Sequence, residues 1–344
     1  MPELQGVGHD QAVVELRGGL MPSMPVWLLL LTAGTAVGTW LARRYALRGD
    51  LLDQPGERRS HDVATPRGGG IAIVALLVAA GLYLALGPGA MDLLWWAFLP
   101  GLLIVAGVGW WDDHRPLSPW LRLVVQAVAA LTLAAGAAGQ SGQLLPAVLA
   151  FGTAMVLVNV WNFMDGINGL ATSQAALAAL AYAGLLVGGW HWLALALLAA
   201  CLGFLPFNFP KARIFLGDVG SGALGYALAG LATAAYLALP AASAPLLLLP
   251  LCAFLVDAGF TLLGRMLRGE RWWTPHVGHL YQMGARRFGH AAITVIYMVF
   301  CGVTLLLIYG VPQARVATTL GAVIAVYGCG GALWVLVRRG WRGG

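Results

Sequence analysis

The stretch Leu144–Gly169, LLPAVLAFGTAMVLVNVWNFMDGING, decides how the whole chain is read. Residues 144–161 are almost entirely apolar, and a run of that length crosses a bilayer core as a helix. The chain then turns polar. Asn159, Asn162 and Asp165 are spaced by threes, so each consecutive pair shares a helix face. Gly166 and Gly169 follow where the helix must stop or bend. One such residue has a bland reading, a helix end dipping into water. Two amides and a carboxylate beside lipid are costlier to leave without partners. The functional reading therefore needs other clusters like this one, on the same side of the membrane.

The rest of the chain supplies them. Its 344 residues are 60% hydrophobic and only 10% charged, against about 25% charged in ordinary globular chains. Apolar runs recur throughout and are continuous rather than alternating, which excludes a transmembrane β-barrel. The expected fold is all-α, a polytopic helical membrane bundle. Spans are expected at Val26–Leu41, Ile71–Leu86, Leu93–Trp111, Leu121–Ala138, Leu144–Trp161, Leu170–Val187, Trp190–Phe207, from Gly222 to Leu239, Pro245–Leu263, Ala291–Tyr309 and Val316–Val337. Residues 1–25 read as a mobile tail, 26–338 as one transmembrane domain and 339–344 as a second tail. The first span has no convincing cleavage site and reads as a retained anchor.

Charge orients these eleven spans. Arg43, Arg44 and Arg48 follow the first span, which puts the N-terminus outside and the C-terminus in the cytoplasm. Of twenty Lys and Arg, all but Arg17 and Arg315 then fall on the cytoplasmic side. That segregation also explains the net charge of +6 without a nucleic-acid partner. One Lys against nineteen Arg hints at a GC-rich, bacterial genome. Trp95, Trp96, Trp110 and Trp111 flank the third span, where aromatic rings favour the headgroup layer. Cys201, Cys252, Cys301 and Cys329 lie inside apolar runs and read as small core residues, not metal ligands.

All polar clusters fall in loops of the cytoplasmic side: His61–Gly70, Asp112-Asp113, Asn159–Asn168, Lys211–Ser221 and His276–Gln282. The outer loops hold little beyond Asp92 and His191, and in the interiors of the spans, away from their ends, Asp257 is the one charge. A lipid-linked sugar transporter or flippase needs ionisable groups or broken helices near the midplane, so an enzyme at the inner surface fits better. Asp112, Asp113, Asp165 and Asp218 stand at inner helix ends. If they converge, a cation must offset their repulsion, and oxygen ligands with open positions suit Mg2+, or Mn2+. Each alone reads equally well as a hydrated turn. Lys211, Arg213 and the glycines around Asp218 precede a helix start whose N–H groups can hold phosphate. For Gly222 and Gly225, tight helix packing is a strong alternative. His276 and His279 suit hydrogen bonding to a nucleotide better than zinc, for want of a third soft ligand. His61 and Arg67 face the same choice. Arg58 and Arg59 are placed to contact membrane lipid headgroups.

The pieces HDVATPRGGG (61–70), WWDDHRPLSPWLRLVVQ (110–126), NVWNFMDGINGLA (159–171), IFLGDVGSGALG (214–225) and HVGHLYQ (276–282) occur in one order. Over Leu51–Arg287 that order resembles the polyprenyl-phosphate N-acetylhexosamine-1-phosphate transferases of glycosyltransferase family 4. The resemblance implies a bundle of ten or eleven spans in the bacterial inner membrane with a cytoplasmic Mg2+ site. It implies undecaprenyl phosphate and a UDP-N-acetylhexosamine as substrates, with a homodimer as the assembly to test. Asp112 and Asp113 match the pair near the lipid phosphate, and either one is to orient the nucleophile or take its residual proton. Asn162 and Asp165 match the face that contacts the nucleotide-sugar, with Asn159 and Asn168 beside them. Asp218 matches the metal ligand, joined by Asp165, and His276 and His279 match the histidine motif. Asn168 replaces a common second Asp, and Val277 stands where Arg often follows the first His. The absent triple-histidine motif argues against the MurNAc-pentapeptide branch. The HxxHLYQ form is more similar to enzymes that start O-antigen or other surface polysaccharides, some using FucNAc or QuiNAc rather than GlcNAc.

Overall fold

The computed structural model describes residues 23–54, 63–86, 92–270, 277–311 and 315–342, and these are almost entirely helical. His61, His276, Arg58, Arg59 and most of the expected N-terminal tail lie outside the described residues. In chain order the helices are α1 (Met24–Arg48), α2 (Ile71–Ala85), α3 (Leu93–His114), α4 (Pro119–Ser141), α5 (Leu144–Met164) and α6 (Leu170–Leu185). They continue with α7 (Gly188–Asn208), α8 (Gly217–Ala238), α9 (Cys252–Leu267), α10 (Leu280–Phe288), α11 (His290–Gly310) and α12 (Val316–Arg342). Two short strands, β1 (Leu52–Asp53) and β2 (Thr65–Pro66), pair antiparallel between α1 and α2.

Nine helical segments among the described residues are long and apolar enough to cross a bilayer, with Ala241–Leu267 as one of them. The shorter apolar helices α2 and α6 complete the eleven spans expected from charge. In the ninth, Pro245 and Pro250 deny the backbone its regular donors. Residues Ala241–Leu251 therefore wind as a 3-10 helix before α9 begins. Two elements between the spans were not expected: the small β1–β2 pair and the amphipathic α10.

α8 is the axis of the bundle. Residues Val219–Ala235 are buried without interruption, and α3 and α5 pack on it. Its small side chains allow that approach. A Cβ on Gly225 would lie 2.3 Å from the Leu157 carbonyl oxygen, so this glycine serves helix packing. Two expectations fail here. Trp95 is not presented to lipid headgroups but is 1% exposed, packed edge-on against Trp190, while Trp96 and Trp111 are exposed. Cys329 lies exposed, unlike the other three cysteines. At the opposite end of α3 from Asp112 and Asp113, Asp92 is occupied structurally. Its carboxylate accepts the Trp95 amide, Trp190 Nε1 and Gln140 Nε2, tying the start of α3 to α7 and α4.

Candidate active site

Three helix ends and two loops meet at one end of the bundle. The loops dock backbone to backbone. The Phe215 amide donates to the Pro66 carbonyl at 2.7 Å, and the Gly69 and Gly70 amides donate to Phe215 and Leu216 at 2.9 and 2.8 Å. This pairing needs bare backbone. A Cβ on Gly70 would lie 2.2 Å from the Gly220 Cα. Gly217 has φ +77°, a left-handed conformation, and a Cβ there would meet Asp113 Oδ2 at 2.5 Å. The glycines of PRGGG and LGDVG thus join two loops.

Asp113 caps the central helix from outside. Its Oδ1 accepts the Asp218 amide at 3.0 Å and its Oδ2 the Val219 amide at 3.1 Å. The side chain is 1% exposed. Those amides were expected to be available to phosphate, but a carboxylate from α3 already occupies them. It satisfies the orphan donors of the α8 N-terminus and complements its dipole. Asp113→Ala is therefore expected to destabilise the fold by about 1–3 kcal/mol, the cost of unmatched buried donors. Thermal unfolding in detergent checks this, and an unchanged midpoint would refute the capping role.

Asp112 faces the other way. Its Oδ1 accepts the Leu117 amide at 2.6 Å and its Oδ2 meets Arg122 Nη1 at 2.7 Å. Arg122 also reaches Asp218 Oδ2 at 3.7 Å, so one guanidinium from α4 bridges α3 and α8. Asn162 Nδ2 donates to Asp218 Oδ1 and, at 3.1 Å, to Ser221 Oγ. The NxxNxxD block therefore orients the α8 carboxylate directly.

Beside this network lies a polar cavity of about 300 Å3, lined among others by Asp53, Arg67, Asp113, Asn162, Asp165 and Asp218. Asp165 terminates α5 at its C-cap. Burial, then the negative charges of Asp218 and Asp113, push its carboxyl well above the usual carboxylate range. Among the described residues no three acidic or histidine side chains form a closed metal cluster. The donor set is nonetheless all oxygen, with Asp218 and Asp165 opening on the cavity. That fits a hard divalent ion which keeps several positions for water and phosphate. Asp112 and Asp113, engaged as described, are not needed as ligands.

The comparisons bear on this end of the bundle. The family model described as glycosyl transferase family 4 matches residues 95–236, from α3 through α8. The phospho-N-acetylmuramoyl-pentapeptide-transferase of Moorella thermoacetica is 32% identical over 72% of this chain and 86% of its own. The chain belongs to glycosyl transferase family 4. The decaprenyl-phosphate N-acetylglucosaminephosphotransferase of Mycobacterium tuberculosis is 28% identical over 98% of this chain and 96% of its own. A probable undecaprenyl-phosphate N-acetylglucosaminyl 1-phosphate transferase of Bacillus subtilis is 27% identical over 76% and 77%.

Within this family member several expected site residues do other work. Asn159 bonds Gln126 Oε1 and the Met155 carbonyl, joining α5 to α4. Asn168 donates to the Pro210 carbonyl and accepts Thr294 Oγ1, which holds its loop in place. Arg213 folds onto Phe207 and the Pro206 carbonyl, and Lys211 is exposed; neither lines the cavity. His279 is 3% exposed at the N-cap of α10, and its backbone amide donates to Gln282 Oε1 at 3.3 Å. Burial holds its ring below the usual histidine range and so neutral at pH 7. Gln282, one turn on, lines the cavity instead. Sequence reading missed Arg122, Asp53 and Gln282 as site residues. Arg122 had a signal, a lone cation at the very start of a span and within WWDDHRPLSPWLRLVVQ. Asp53 had none, because only the hairpin with β2 brings it to the cavity.

Proposed function

We propose that this chain transfers an N-acetylhexosamine-1-phosphate from a UDP-N-acetylhexosamine to undecaprenyl phosphate, releasing UMP. One observation carries the reading. Carboxylates from three helix ends face a single polar cavity beside Arg67, at one end of a membrane bundle. Relatives named for polyprenyl-phosphate amino-sugar transfer support it. A lipid-phosphate oxygen attacks the β-phosphorus of the sugar nucleotide. The new P–O bond forms as the bond from that phosphorus to the bridging oxygen of UMP breaks.

The barrier is mostly that of bringing two anions together. The lipid phosphate is largely ionised at neutral pH, so little deprotonation is required. That suits an Asp112-Asp113 pair whose oxygens are already hydrogen-bonded and which orients rather than abstracts. Arg67 lines the cavity where a pyrophosphate would lie, and Arg122 bridges the carboxylates where the lipid phosphate would approach. Asn162 fixes the rotamer of Asp218. Bound Mg2+ or Mn2+, held by Asp218 and Asp165, supplies electrostatic stabilisation of the charge on the pyrophosphate.

The segregation of Arg and Lys supports a bacterial cytoplasmic membrane with this end facing the cytoplasm. The two-histidine loop favours the start of O-antigen or another envelope polysaccharide, with GlcNAc or a 6-deoxy sugar such as FucNAc or QuiNAc. The Moorella relative favours a second reading, transfer of MurNAc-pentapeptide phosphate. Purified protein should be incubated with undecaprenyl phosphate, Mg2+ and a panel of UDP-sugars that includes UDP-MurNAc-pentapeptide, and the lipid product weighed. One UDP-N-acetylhexosamine should give lipid-linked sugar pyrophosphate and UMP. Chelation should abolish UMP release, and added Mg2+ or Mn2+ should restore it. Lipid movement across vesicles with no cleavage of any UDP-sugar would favour a flippase instead.

A further inference from the structure

A buried carboxylate not used above sits inside the ninth span. Asp257 is 2% exposed on α9. Its Oδ1 accepts the Leu280 amide at 2.8 Å, Trp334 Nε1 at 3.1 Å and Thr261 Oγ1 at 3.3 Å. Its Oδ2 accepts Tyr297 OH at 2.8 Å and the Tyr281 amide at 3.0 Å. The donors come from α9, α10, α11 and α12. A carboxylate in a membrane span is costly to desolvate, and only convergent donors of this kind offset the cost. Two of them are the first amides of α10. Asp257 thus does for α10 what Asp113 does for α8.

The helix it docks carries two links to the site. Tyr281 OH donates to the Phe163 carbonyl at 2.9 Å. The same hydroxyl lies against Gly166, where a Cβ would come within 2.2 Å of it. These contacts straddle Asp165. The next residue, Gln282, lines the polar cavity.

We propose that Asp257 is a positioning residue for the transferase. From within its span it fixes the start of α10, so that Tyr281 braces the Asp165 loop and Gln282 faces the sugar nucleotide. The proposal rests on the function given above. It also separates the two substrates. Asp257 acts on the walls that hold the soluble donor, whereas Arg122 and Asp112 lie on the α3–α4 side.

The test measures kcat and both KM values for Asp257→Asn, Tyr281→Phe and the double variant in detergent. Wild-type protein must first convert a UDP-sugar, and failure there refutes the function rather than the positioning role. Asp257→Asn is expected to raise KM for the UDP-sugar about tenfold, the scale of one charge-assisted hydrogen bond. KM for undecaprenyl phosphate should stay within about twofold. Tyr281→Phe should move the same constant, and the double variant should be no worse than Asp257→Asn alone, because both act along one path. If Asp257→Asn does not fold, Tyr297→Phe removes a single donor and takes its place, with a smaller rise in the same constant. A lowered thermal midpoint with both KM values unchanged would overturn the proposal, as would additive effects of the two substitutions.

Discussion

Asp218→Asn is expected to lower UMP release by about 10²–10³-fold, the usual loss when one preorganised electrostatic group leaves a reacting centre, while the protein stays folded. The substitution preserves shape. An amide oxygen at 218 still accepts from Asn162, and the Asp218 backbone amide still donates to Asp113. What disappears is the negative charge that Arg122 and a divalent ion would share. The thermal midpoint in detergent should therefore move little while kcat falls. Near wild-type UMP release in saturating Mg2+ would defeat the assignment of Asp218 to the metal.

Arg122→Gln should raise KM for undecaprenyl phosphate by about 10–100-fold, with a smaller effect on the UDP-sugar. Arg122 lies within ion-pair distance of both Asp112 and Asp218. Losing it leaves Asp112 and Asp218 to repel one another and any incoming phosphate. Arg122→Lys should recover part of the loss, since an ammonium keeps the charge but not the planar fork that spans two carboxylates. Steady-state titration of the lipid substrate in mixed micelles decides the matter. Equal KM values for Arg122→Gln and wild type would show that the guanidinium is structural.

The two substitutions also separate what could be read in the chain from what could not. Asp218 was legible because a carboxylate among glycines at the end of an apolar run is chemically conspicuous. Arg122 sits at the start of its span, where a lone cation reads as a snorkelling side chain. Its role follows from α4 lying against α3, which puts its guanidinium between carboxylates 10 and 96 positions away along the chain. Asp112 and Asp113 are adjacent and look equivalent in sequence. Successive helical residues point in directions about 100° apart, so one meets α4 and the other meets α8. Lys211 and Arg213 show the opposite error. Their charge beside a glycine loop suggested phosphate, yet Arg213 turns back onto the end of α7.

By itself the sequence determined the membrane class, the eleven spans and the gathering of polar residues at helix ends. Apolar run length and the placement of Arg are properties of the linear chain, and the bilayer reads them directly. Only the tertiary structure decided which of those polar groups face a common cavity and which hold helices in place. Direction around a helix and the identity of its neighbour fix that choice. Asp113 and Asp257, both buried carboxylates, had to be seen in place before either could be recognised as the cap of another helix.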